Sequence, residues 1–70
     1  MSQKAVYELL QELGGRATVK EIRALALKRY PDFTLYHYVS NRLQKLQKGG
    51  YVRHKRDGTW EIVKKEGPIA

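Results

Sequence analysis

Apolar positions along this chain keep two different rhythms, and the change of rhythm divides it. In "SQKAVYELLQELGG", Val6, Leu9, Leu10 and Leu13 recur at three- and four-residue steps, which on a helix align as one stripe. Ser2 is a candidate N-cap, and Gly14-Gly15 offer a stop where a left-handed C-cap is cheap. The stretch "RATVKEIRALALKRYP" begins with a short β-favouring piece and then sets Thr18 three residues before Glu21. That spacing is a capping box, in which hydroxyl and carboxylate each satisfy an orphan N–H of the helix start. Val19, Ile22, Leu25, Ala26 and Arg29 share a face, and Pro31 closes this second helix near Arg29 or Tyr30. Leu27 falls off the stripe. It is expected to pack beside the first helix, with a small dimer contact as the alternative.

A third helix is expected over residues 34–48 of "PDFTLYHYVSNRLQKLQKGG", with Leu35, Val39, Leu43 and Leu46 as its stripe. Phe33 reads as a buried anchor in the preceding turn, Thr34 as the N-cap and Gly49-Gly50 as the stop. Only "YPDF" separates the second and third helices, which suits a steep crossing. In "YVRHKRDGTWEIV" the period drops to two, and Asp57-Gly58 marks a hairpin turn. A two-residue loop would set Arg53 beside Ile62. A three-residue loop with a left-handed Gly58 pairs Val52 with Ile62 and Arg53 with Glu61, which gathers apolar side chains on one face and matches charges on the other. The second register is preferred. Residues 1–65 read as one α+β domain of three helices and a C-terminal hairpin, with a short strand between the first two helices. Residues 66–70 read as a frayed tail.

Composition narrows the classes. At 70 residues and 41% hydrophobic content the core is thin, which leaves little room for a deep pocket. There is no cysteine, hence no disulfide or thiolate metal site. No apolar run approaches the ~18–20 residues of a membrane span, and "MSQKAVYELL" lacks a secretory core, so we expect a cytoplasmic protein, nucleoid-associated if prokaryotic. Net charge is +7, and Thr34 to Lys65 alone carries eight bases against two acids. A basic half on a small domain favours a polyanionic partner.

The third helix then stands out. Opposite its apolar stripe lie His37, Ser40, Asn41 and Gln44, uncharged but rich in donors and acceptors, where a merely solvated face fills with Glu and Lys. Asn and Gln can bond bidentately to adenine, and Ser and His to several base edges. Arg53, Lys55 and Arg56 crowd the hairpin, where cations pair with phosphates and supply affinity without sequence information. Lys45 and Lys48 complement the C-terminal dipole of the third helix or reach the nucleic-acid backbone.

The phrase "YVSNRLQKLQKGGYV" resembles the end of the recognition helix and the entry to the wing in winged helix-turn-helix DNA-binding domains. Val39, Leu43, Leu46, Gly49-Gly50 and Tyr51-Val52 carry the likeness, which extends over roughly residues 6–63. The resemblance implies a small winged helix-turn-helix whose third helix enters the major groove of double-stranded DNA, while the hairpin wing meets backbone or minor groove. Carried over by position, groove contacts fall at Tyr36, His37, Ser40, Asn41 and Gln44, with Lys45 added on the same helix. Wing contacts fall at Arg53, Lys55 and Arg56.

Other roles are weaker on these residues. His37 and His54 are too far apart to share a metal and have no thiolate to join them. Trp60 reads as core beneath the wing, with its indole N–H on a backbone partner. Of Tyr36 and Tyr38 at least one should be half-buried. The scattered carboxylates and the lack of a nucleophile set or phosphate loop argue against an enzyme, and no cofactor or small-molecule ligand is evident. We expect a small transcriptional regulator or a general DNA-coating protein, as a monomer or as a dimer through the first helix. The alternatives are a protein-interaction module using Tyr7, Leu27 and Ile69, and a structured-RNA binder. "TWEI" also resembles the closing wing strand of Z-DNA-binding domains, but Gln44 stands where a tyrosine is wanted and the wing lacks proline.

Overall fold

The computed structural model describes residues 3–32 and 38–63. Ser2, Phe33, Thr34, Leu35, Tyr36, His37 and the 66–70 tail, each given a role above, lie outside them. The described chain forms α1 (Gln3–Glu12), β1 (Arg16–Thr18), α2 (Val19–Arg29), α3 (Val39–Lys48), β2 (Val52–His54) and β3 (Thr59–Ile62). It is thus a small α+β unit with three helices and a three-stranded antiparallel sheet in the order β1-β3-β2.

Each helix follows its stripe. Val6, Leu9 and Leu10 of α1, Ile22 and Ala26 of α2, and Val39, Leu43 and Leu46 of α3 meet in one core with Ala5, Ala17, Val52 and Trp60. The capping box forms as the spacing demands. The Thr18 N–H and Oγ1 donate to Glu21 Oε1 at 2.9 and 3.0 Å, and the Glu21 N–H donates to Thr18 Oγ1 at 3.2 Å. The bonds of this cap hold the Glu21 carboxyl below its ordinary pKa. At the end of α3 the Tyr51 N–H reaches back to the Leu46 carbonyl at 2.9 Å and the Gly50 N–H to that of Gln47 at 3.0 Å. This Schellman closure requires a left-handed residue, which Gly50 supplies at φ 83°.

Two expectations need correction. The third helix does not run unbroken from residue 34. Tyr38 is its N-cap at φ −106° and ψ 5°, in the bridge region and with no side-chain cap bond, so helical winding starts at Val39. The short "YPDF" link expected between the second and third helices runs into residues outside the described ones. Leu27 does not pack beside α1 but stays 48% exposed, because one step past the buried Ala26 turns it about 100° off the core face.

The hairpin takes the three-residue loop. Val52 pairs with Ile62, Arg53 with Glu61 and His54 with Trp60, while the Lys55 N–H donates to the Thr59 carbonyl at 2.8 Å. Gly58, at φ 89°, provides the bulge residue such a loop needs. On its other edge β3 takes β1, with Ala17 opposite Trp60 and Arg16 opposite Glu61. β3 is thus the central strand, which ties the hairpin to the link between α1 and α2.

Candidate nucleic-acid interface

The buried stripe of α3 decides what its other side presents. With Val39, Leu43 and Leu46 fully buried, the helical period turns Asn41, Gln44, Lys45 and Lys48 outward, all exposed, and leaves Ser40 half-exposed. None of these five is buried among the described residues. Lys45 and Lys48 sit in the last turn, where a cation also favours the carbonyl end of the dipole. Tyr36 and His37 lie outside the described residues. Tyr38 is 51% exposed.

Sequence reasoning missed one member of this face. Arg42, counted there only as charge, lies with its guanidinium 5.8 Å from the Tyr38 ring centroid and donates to Asn41 Oδ1 at 2.8 Å. The Tyr38–Arg42 spacing of four was the available signal. Asn41 thus has its amide oxygen engaged, and reading an adenine with both amide atoms would require Arg42 to let go.

The hairpin cations are not equivalent. Glu61 holds two of them: Arg53 Nη2 donates to Oε1 at 3.0 Å and Lys55 Nζ to Oε2 at 3.5 Å. The Arg53 hydrogen bond first, and then the Lys55 charge, lower the Glu61 carboxyl pKa. Arg56, at the loop, is exposed and has no partner among the described residues. Behind the loop, Asp57 Oδ1 accepts from the Thr59 N–H at 2.9 Å and Oγ1 at 2.6 Å, and its Oδ2 accepts from Arg16 Nη2 at 2.8 Å. The Thr59 bonds, with Arg16 adding to them, lower the Asp57 pKa to about 2. Neither the Arg16 contact nor its role as a brace of the loop was foreseen.

Under the hairpin, Trp60 is core as expected, 4% exposed. His54 lies flat against it, with ring centroids 4.1 Å apart and planes 1° from parallel. The indole N–H, expected on a backbone carbonyl, has no partner among the described residues. Packing area and the stack fix the ring against the about 1–3 kcal/mol that a buried, unsatisfied donor costs.

Among the described residues no three His, Cys, Asp or Glu side chains gather as a metal site, and no helix is long and apolar enough to cross a membrane. No family model, curated protein or solved structure matches this chain.

Proposed function

We propose that this chain is a winged helix-turn-helix protein that binds double-stranded DNA and regulates transcription, a binding protein and not an enzyme. The observation that carries the reading is the outward face of α3. It presents uncharged amide and hydroxyl groups to solvent on a chain of net charge +7, a face able to exchange hydrogen bonds with base edges. Two features support it. Helices followed by a C-terminal hairpin, with β3 between β1 and β2, are compatible with the winged arrangement. Arg56 at the hairpin loop is also free to meet a phosphate.

In this reading α3 lies in the major groove with Ser40, Asn41 and Gln44 toward the bases. Lys45, Arg53, Lys55 and Arg56 meet the backbone and set register and affinity. If about six phosphates are engaged, binding to a duplex should fall with salt at a log–log slope near −5. Selecting bound duplexes from a random pool at two salt concentrations tests both parts. One enriched motif marks a sequence-specific regulator, and tight binding without enrichment marks a coating protein. A slope near zero, or duplex RNA of equal length outcompeting DNA, ends the proposal.

A further inference from the structure

Among the described residues, an apolar feature that the proposed DNA face does not use lies on the outer side of α2. Leu13, Glu21, Ala24, Leu25, Leu27 and Lys28 line an open groove there of about 510 Å³. Leu27 is one of two large apolar side chains exposed among the described residues, and the only aliphatic one. Ala24 makes a low floor between Leu25 and Leu27, and Glu21 and Lys28 stand one turn before and one turn after it.

We infer that this groove docks the same groove of a second copy, with the two α2 helices antiparallel across a two-fold axis. The charges argue for a copy over an unrelated partner. Glu21 and Lys28 are seven residues apart, so their midpoint falls between Ala24 and Leu25. A two-fold at that midpoint brings each Glu21 level with the other copy's Lys28, twice. The same operation sets small Ala24 at the closest approach. Both Leu27 side chains fall on one edge of the seam and both Leu25 side chains on the other, which is a self-complementary surface. The groups are available. Glu21 Oε1 is taken by the cap, which leaves Oε2 for the other copy, and Lys28 has no partner among the described residues. A seam of this size buries little area, so the dimer is weak and its population follows concentration. Nothing in this inference depends on DNA binding.

The test is sedimentation equilibrium of the whole chain at rising concentration, with circular dichroism to verify folding of each variant. Wild type should move from monomer toward dimer mass, and Leu27→Asp should stay monomeric throughout. Lys28→Glu and Glu21→Lys should each associate poorly alone, yet form a one-to-one heterodimer when mixed, since both 21–28 pairs are then opposite in sign. Should Glu21→Lys fail to fold, Glu21→Gln keeps a cap acceptor, and it should weaken the wild-type dimer by about three- to fivefold through two exposed pairs. Monomeric wild type at every concentration, a dimer untouched by Leu27→Asp, or a mixture of charge variants that does not associate would each overturn the inference.

Discussion

Asp57 does more for the hairpin than its exposed position suggests. Its carboxylate holds the Thr59 N–H and hydroxyl across the loop and takes Arg16 from the far strand, three contacts that favour the ionised form. Folding therefore lowers its pKa from 3.8 to about 2. A group held below its unfolded value contributes stability that is complete above that value and is lost as pH falls through the folded one. Asp57→Asn should unfold at lower urea than wild type at pH 7. The gap should close as pH drops from about 4 to about 2. A gap as wide at pH 2 as at pH 7 would refute the assignment. On α3, replacing Asn41 by Ala should reorder the affinities of different duplexes if it reads a base, whereas a uniform loss would make it a phosphate contact. Side-chain partnerships were legible only where local pattern fixes them. The Arg53–Glu61 pair follows once the hairpin register is chosen. Arg16 and Asp57 are 41 residues apart and meet only because β1 docks on β3, for which the sequence has no local signal.

At the scale of elements, helix ends were easier to place than helix starts. Glycine pairs with a left-handed member and a capping box are chemical punctuation, and the ends of α1 and α3 and the start of α2 fall where they stand. α3 starts at Val39, after an aromatic N-cap that makes no side-chain bond, and such a start has no composition to betray it. The end of α3 also contains a testable conflict. Gly49 has ordinary helical angles, so alanine there should gain about 0.4–1 kcal/mol by restricting the unfolded chain. Yet its methyl would sit 2.9 Å from Tyr51 Cε2, and that ring is half-buried, with Tyr7 edge-on at 6.4 Å between centroids. With the ring held, the clash should win, since overpacking costs about 1–3 kcal/mol. Gly49→Ala should lower the thermal midpoint in the wild type and raise or spare it in a Tyr51→Ala background. The same loss in both backgrounds would show that Tyr51 is not the obstacle. In the core, Leu43→Ala should cost about 2–5 kcal/mol, because the side chain is fully buried between α3 and its neighbours.

For the whole molecule the sequence states a charge, and the fold decides how much of it is free. The +7 was legible from composition, and so was its concentration in the second half. The preferred hairpin register already set Arg53 opposite Glu61, but that Glu61 also takes Lys55, and that Arg56 has no partner among the described residues, is seen only in the folded hairpin. If these cations serve a polyanion, Glu61 competes with phosphate for two of them, and freeing them has a measurable signature. Glu61→Gln, verified as folded by its melting curve, should bind a DNA duplex more tightly at low salt and steepen the log–log salt slope by up to about 1.8, near 0.9 for each added phosphate contact. Arg56→Ala should make the wild-type slope shallower by about 0.9. Arg53→Ala should change it less in the wild type, where Glu61 already occupies that guanidinium, and by the full amount in the Glu61→Gln background. Equal effects of Arg53→Ala in both backgrounds would show that the carboxylate does not restrain the wing, and an unchanged slope in all three variants would remove the hairpin from the interface.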